Sequence, residues 1–293
     1  MELDYVKLKE IKPALAGYIR DSQALIRKLP APDAKAVHDI RVLMKKSRAV
    51  MRLISNQVDK EFYERQYSAF REVGIKTRLW RETSVHRKTL KGLKKNYPDV
   101  LTELINSGKF VELLKKPGAP GEAAPEMKDE IEIIEDILNK TGYRVRFQSL
   151  NNLDPKMLIK ELEATYILVV DRYLDCRNNL KPTKIHEFRK RSKDFLYQLY
   201  FFRPLNPSVI KSLEKKLNTM TQNLGKYNDL VQLIKTLDYR YKGPSDFPAL
   251  DEFIIILREE QDRYLSGVWP QACKIFCPGQ NLINVLGFRI LMI

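Results

Sequence analysis

Two segments of the chain share the pattern His-x-x-Arg-x-x-x-Lys, and they lie about half a chain length apart. The first begins at His38 and the second at His186, an offset of 148 residues (186 − 38) in a chain of 293. The segments that follow also correspond, because Gly74 and Gly225 are offset by 151 residues (225 − 74). A long-period internal repeat of this kind is typical of a fold that is built twice from one unit.

Hydrophobic periodicity and helix-boundary signals predict an all-α protein, since no segment requires a β-strand. Asp33 is a suitable N-cap for the first His-x-x-Arg helix, and Asn206 with Pro207 combines an N-cap with proline in the first turn. The predicted helices span residues 5–29, 60–95, 99–114, 126–140, 154–179 and 248–276, together with the two His-x-x-Arg helices and a long helix after Pro207. Gly142 is expected to close one of them, with residues 143–150 extended.

The repeat and the helix pattern together define the expected architecture. We predict two four-helix bundles related by a pseudo-twofold axis. Residues 1–116 form the first repeat, residues 117–153 a linker with a short helix, and residues 154–293 the second repeat. The Pro- and Gly-rich segment 116–125 marks the hinge. Such packing would bring the two His-x-x-Arg helices to a shared surface.

The first His-x-x-Arg helix carries a continuous basic stripe. At about 100° per residue, five side chains fall within an arc of about 80° and are flanked by apolar residues: His38, Arg41, Lys45, Arg48 and Arg52. An ordinary solvated helix face, which is the alternative interpretation, mixes Glu with Lys at four-residue spacing, but this stripe contains no carboxylate. Because like charges in line repel each other, we infer that a polyanionic ligand offsets the cost.

The second helix repeats the start of this stripe. It contributes four candidate binding residues: His186, Arg189, Lys190 and Lys193. The positions that match Arg48 and Arg52 are Leu196 and Tyr200, so we expect the amino-terminal stripe to dominate. Further basic residues extend the predicted binding surface, namely Lys226, Lys46, Arg78 and Arg81.

The histidines allow two interpretations. His38 and His186 either fix the helix starts through hydrogen bonds or donate directly to phosphate, in which case affinity rises as the pH falls. His86 has no counterpart in the repeat, and we expect it to be incidental.

Charge and composition limit the classes of partner that the protein is expected to bind. A formal net charge of +15 favours anionic partners such as nucleic acid, acidic membrane surfaces and polyphosphate. No apolar run reaches about 18 residues, and the first four residues lack a signal-peptide pattern, so we expect a cytoplasmic protein without a membrane span. The odd set of cysteines, Cys176, Cys273 and Cys277, fits structural thiols better than a disulfide framework or a metal site.

The paired His-x-x-Arg-x-x-x-Lys pattern resembles the CHAD family, the conserved histidine α-helical domain. The resemblance also includes the segment Leu224-Gly225-Lys226-Tyr227-Asn228-Asp229-Leu230. The resemblance covers nearly the whole chain. It implies two four-helix bundles with a basic cavity or groove where they meet. It also implies binding of inorganic polyphosphate, often on polyphosphate granules. The first repeat departs from the family pattern, because residues 74–78 lack the Asp of Leu-Gly-x-x-Arg-Asp.

The stripe argues for binding rather than catalysis. Phosphoryl-transfer enzymes use carboxylates to hold Mg²⁺ and to orient the nucleophile, and the sequence has no phosphate loop of the Gly-x-x-x-x-Gly-Lys type. We therefore expect polyphosphate binding without catalytic residues, cofactor or metal. The alternatives are an enzyme that processes polyphosphate or phosphate esters, and nonspecific nucleic-acid binding.

Overall fold

A computed structural model describes residues 6–28, 33–106, 124–150, 152–240 and 248–287, with side chains for all of these except 79, 81–84, 87, 124–128 and 238–240. In chain order the helices are α1 (Leu8–Ile26), α2 (Ala34–Leu53), α3 (Lys60–Lys76), α4 (Arg78–Asn96), α5 (Pro98–Asn106), α6 (Ala124–Phe147), α7 (Pro155–Asn178), α8 (Pro182–Leu199), α9 (Pro207–Arg240), α10 (Pro248–Ser266), α11 (Trp269–Ile275) and α12 (Leu282–Leu286). Single 3₁₀ turns follow α2 and α8. No strand occurs within these residues, which confirms the all-α prediction.

Side-chain caps fix several helix starts. The carboxylate of Asp33 accepts a hydrogen bond from the amide of Ala36 at 2.6 Å, as predicted for the start of α2. The Asn206 side chain accepts from the amide of Val209 at 3.4 Å at the start of α9. These bonds satisfy amide donors that have no partner inside the helix, so the two starts predicted from capping residues are confirmed.

The predicted helix over residues 60–95 is wrong, because the structure divides it into α3 and α4 at Thr77. The Thr77 hydroxyl donates to the carbonyl of Val73 at 2.7 Å, and Arg41 of α2 donates to the carbonyl of Gly74. Carbonyl groups at a helix end need such partners. A side chain from another helix therefore supplies donors at the break, and periodicity within residues 60–95 does not reveal this contact.

Two other predicted helix bounds are also wrong. α6 continues past Gly142 to Phe147, so residues 143–147 are helical rather than extended. Gly142 packs closely against α1, since a Cβ atom there would lie 3.4 Å from Ile19 Cγ2. The predicted helix 248–276 is interrupted between Ser266 and Trp269, and Pro270 lies in the first turn of α11, where proline is tolerated. Residues 107–114 and most of the predicted hinge lie outside the described residues.

Buried apolar side chains form two clusters. The larger cluster contains residues from α1, α2, α3 and α6 together with residues from α7, α8, α9 as far as Val231, the end of α10, α11 and α12. The smaller one joins α4 and α5 to the end of α9 and to α10. At the centre α2 packs against α8, and Gln198 donates to the carbonyl of Ala49 at 3.1 Å. The two His-x-x-Arg helices are therefore in direct contact.

No helix in the described part of the chain is both long enough and apolar enough to cross a membrane.

Candidate anion-binding site

A cavity of about 580 Å³ opens where α2, α4, α8 and α9 meet. Five cationic side chains line it, contributed by all four helices: Arg41, Lys45, Arg78, Arg189 and Lys235. Two carboxylates, Glu187 and Asp229, also line the cavity, as do His86 and His186. With neutral histidines the lining has a net formal charge of +3. The packing thus gathers cations from distant parts of the sequence into one concave surface.

Arg41 is held against the end of α3. Its Nη1 donates to the carbonyl of Gly74 and, at 3.2 Å, to the hydroxyl of Thr77. The guanidinium is half-buried, so these bonds restrict its orientation at the cavity wall. A guanidinium is planar and carries five N–H donors, which allows it to contact protein and a bound anion at the same time.

Arg189 is held in a related way by α9. Its Nε donates to the carbonyl of Thr221 at 3.4 Å, and its guanidinium lies against the backbone of Gly225. Both arginines of the repeated pattern therefore contact the backbone of the helix that follows their own.

Burial first, and neighbouring positive charge second, shift the pKa values of two groups along the contact between α2 and α8. Desolvation lowers the pKa of His186, and the neighbouring Arg189 and Lys45 lower it further. Desolvation, Arg189 and Lys46 lower the pKa of Lys193 to about 8. Cations that disfavour each other's protonated form would gain from a bound anion, so this region has the potential expected of a site for polyanions.

The chain matches the family model of the CHAD domain over residues 13–238. The chain belongs to the CHAD family. The family predicted from the repeated His-x-x-Arg pattern is thereby confirmed. A search of curated proteins finds no match to this chain. The matched region includes every residue that lines the cavity, whereas α10, α11 and α12 of this CHAD protein lie beyond it.

The far end of the α2 stripe has different surroundings. Arg52 forms an ion pair with Asp194 of α8 at 2.9 Å, in which the two side chains are 19% and 9% exposed. Arg52 also donates to the hydroxyl of Tyr67, and Arg191 lies 3.4 Å from Asp194. Desolvation lowers the pKa of the adjacent Arg48 and raises that of Asp194. The predicted stripe without counter-charges is therefore neutralised at this end by a carboxylate from another helix.

The remaining predicted residues lie around the cavity or apart from it. His38 is exposed on α2 and is not among the cavity-lining residues. Lys190 is paired with Glu187 at 3.2 Å. Lys226 is exposed, with Nζ 5.1 Å from the centroid of the Tyr264 ring. Lys46 lies near α1, 5.5 Å from the ring of Tyr18. The side chain of Arg81 lies outside the described residues.

Sequence reasoning missed several residues that line the cavity. His86, which we expected to be incidental, is carried by α4 into the cavity wall. Lys235 was also missed, and its signal is spacing, since Asn228, Gln232 and Lys235 recur on one face of α9. Asp229 belongs to the segment quoted for the family resemblance but was not predicted as a site residue. His86 gave no such signal, because the position 151 residues later is Leu237 and the position 148 residues later is Ile234.

The thiols and carboxylates provide no evident metal site. Among the residues that the structure describes, no group of three or more His, Cys, Asp or Glu side chains is arranged to hold a metal ion. Cys273 and Cys277 are exposed free thiols and Cys176 is buried. Burial raises the pKa of the Cys176 thiol to about 12, so this cysteine is protonated at neutral pH.

Proposed function

We propose that this CHAD protein binds inorganic polyphosphate without reacting with it. The observation that carries the proposal is the cavity lined by five cations from four helices. Polyphosphate has no base or sugar to recognise, so a binding site needs cations and N–H donors in suitable positions. Arginine supplies a planar donor fork that matches phosphate oxygens, and lysine supplies a movable charge.

The order of the elements supports a two-unit architecture with the binding groove between the units. α1, α2 and a 3₁₀ turn are followed by α3, and α7, α8 and a 3₁₀ turn are followed by α9. α2 and α8 are the two His-x-x-Arg helices, and they contact each other. We propose that the two units are related by a pseudo-twofold axis and that the ligand lies where their arginines converge.

The proposed path of the ligand follows the cations that converge where α2, α8 and α9 meet. It begins in the cavity at Arg41, Lys45 and Arg189 and continues towards Lys193, which Arg189 influences directly. Arg52 is assigned to the ion pair with Asp194 rather than to the ligand. A long chain bound at its middle leaves its ends in solvent, so we also propose association with polyphosphate granules.

A second candidate function is an enzyme that processes polyphosphate or phosphate esters. Glu187 and Asp229 favour it, because they bring two carboxylates into the same cavity as the cations. Carboxylates can hold a divalent cation or orient water for attack on phosphorus. Binding remains the stronger proposal, since Glu187 is paired with Lys190 and lies within 4.0 Å of Arg191.

One titration separates these functions. Purified protein is titrated with polyphosphate chains of several lengths, with and without Mg²⁺, and the mixtures are analysed for shortened chains and free phosphate. We expect saturable binding that tightens with chain length, weakens with added salt, and leaves the chains intact. Phosphate release that depends on Mg²⁺ and is lost in Glu187→Gln and Asp229→Asn would support the enzyme instead.

Nucleic-acid binding is tested by competition. Phosphate contacts dominate nonspecific binding to nucleic acids, so a basic groove retains them to some extent. We expect polyphosphate to displace single-stranded and double-stranded DNA when both are present at equal phosphate concentration. Displacement of polyphosphate by DNA under the same conditions would contradict the proposed ligand.

A further inference from the structure

Gly225 occupies a buried position on α9 where the side chain of Arg189 crosses the helix backbone. A Cβ atom at this residue would lie 3.1 Å from Nη2 and 3.3 Å from Nε of Arg189. These distances are shorter than the separation of about 3.5 to 4.0 Å at which non-bonded heavy atoms attract best. Any side chain at position 225 would therefore push the guanidinium away from α9.

The backbone gives no other reason for glycine at this position. The glycines with positive φ in the described residues are Gly279 and Gly287, so Gly225 has a conformation that other residues adopt easily. It lies inside a helix of 34 residues, where glycine is less favourable than alanine. The sequence thus accepts a weaker helix at the one place where Arg189 needs room.

The position of Arg189 affects titratable groups on both sides of it along α8. Its Nε donates to the carbonyl of Thr221, one turn before Gly225. Its charge lowers the pKa of both His186 and Lys193. The guanidinium therefore lies close enough to influence the cavity wall at His186 and the ligand path at Lys193 together.

We infer that Gly225 is a positioning residue that holds the guanidinium of Arg189 in the orientation needed to bind phosphate. The inference rests on the proposed function. A guanidinium binds phosphate through donors in a fixed plane, so a displacement of a few tenths of an ångström spoils paired hydrogen bonds while the charge remains. The binding strength then depends on a residue that itself has no side chain to contact the ligand.

The test compares Gly225→Ala with Gly17→Ala, a helix-interior glycine of α1 where a Cβ atom meets nothing within 4 Å. We expect Gly225→Ala to weaken polyphosphate binding roughly tenfold and Gly17→Ala to change it less than about twofold. Gly17→Ala should not unfold at a lower temperature than the wild type, because alanine favours helix. In Gly225→Ala the same gain offsets the weakened hydrogen bond from Arg189 to Thr221, so its unfolding temperature should change little. In an Arg189→Ala background, Gly225→Ala should cause no further loss, since the glycine acts through that arginine.

A second readout does not depend on polyphosphate. The imidazole of His186 is titrated by NMR in the absence of ligand. Arg189→Ala should raise its pKa by removing a neighbouring positive charge, Gly225→Ala should also shift it, and Gly17→Ala should not. If the wild type failed to bind polyphosphate, that result would contradict the proposed function. The titration of His186 would still test the placement of Arg189. The inference would be overturned if Gly225→Ala changed neither the affinity for polyphosphate nor the titration of His186. It would also be overturned if Gly225→Ala weakened binding as much in the Arg189→Ala background as in the wild type.

Discussion

The two ends of α2 carry similar cations but lie in different surroundings. Towards the start of the helix, Arg41 and Lys45 line a cavity whose cations outnumber its carboxylates. Towards its end, Arg52 is paired with Asp194 and contacts Tyr67. We therefore propose that a regular basic stripe on one helix serves two purposes, and that the difference is set by what the facing helix α8 presents. The near end is suited to an external anion, whereas the far end joins α2 to α8.

The same comparison extends to the two repeated arginines. Arg41 reaches the end of α3, where the helix breaks at Thr77 and the carbonyl groups need donors. Arg189 reaches the middle of α9, where the helix continues and the absence of a side chain at Gly225 provides the room. Equivalent side chains are thus oriented by a helix end in one half and by a glycine in the other.

The largest expected effect on stability is at the far end of α2. Asp194→Asn leaves Arg52 and Arg191 without their carboxylate. We expect a loss of about 2 kcal/mol in the free energy of unfolding, below the range for fully buried pairs because Arg52 keeps some exposure. Polyphosphate affinity should change less than about twofold. Chemical denaturation and a binding titration on the same sample measure both quantities.

The control for that variant is Asp136→Asn, which removes an exposed carboxylate 2.7 Å from Lys140 on α6. Pairs of this kind contribute about 0.5 kcal/mol or less. A large loss of polyphosphate binding in Asp194→Asn would show that the far end of the stripe belongs to the ligand site, and the contrast between the two ends would then be lost.

The next effect concerns the geometry of the hydrogen-bond donors in the cavity. Arg189→Lys keeps the charge but removes the planar fork, so we expect affinity for polyphosphate to fall about tenfold while the unfolding midpoint stays close to that of the wild type. Arg20→Lys, on the exposed surface of α1, is the matched control and should bind normally. Equal affinity of Arg189→Lys and wild type would mean that charge alone, without orientation, accounts for binding.

A smaller effect is expected from pH. The pKa of Lys193 is lowered to about 8 by burial and by Arg189 and Lys46, so raising the pH from 7 to 9 should remove this charge and weaken binding a few fold. The free energy of unfolding should instead increase over this pH range. Between about pH 8 and the ordinary pKa of lysine, the unfolded state binds more protons than the folded state, so the free energy of unfolding rises with pH.

The control is Lys193→Met, in which polyphosphate binding and chemical denaturation are measured at both pH values. In this variant the pH dependence of affinity and of the free energy of unfolding should lack the contribution of the Lys193 ammonium group. An unchanged pH dependence in the variant would assign it to other residues, and Lys193 would no longer be part of the ligand path.

Much of this arrangement follows from local sequence patterns, and the rest depends on contacts between distant residues. The α2 stripe, the caps at Asp33 and Asn206 and the all-α class are local properties of the chain, so periodicity and residue type predict them. The break at Thr77 is contacted by Arg41 from another helix, and the neutralisation of Arg52 depends on Asp194. His86 enters the cavity through the packing of α4, which no repeat or spacing indicated.

The central claim is that the cavity cations, rather than the net charge of the protein, bind polyphosphate. The direct measurement compares the triple variant Arg41→Ala, Lys45→Ala, Arg189→Ala with a variant in which three exposed lysines outside the cavity, Lys156, Lys160 and Lys274, are replaced by alanine. Both lose three positive charges. We expect calorimetric titration to show at least about a hundredfold weaker binding in the first variant and about threefold or less in the second, with unchanged helicity in both. Equal affinities in the two variants would contradict the assignment of the site.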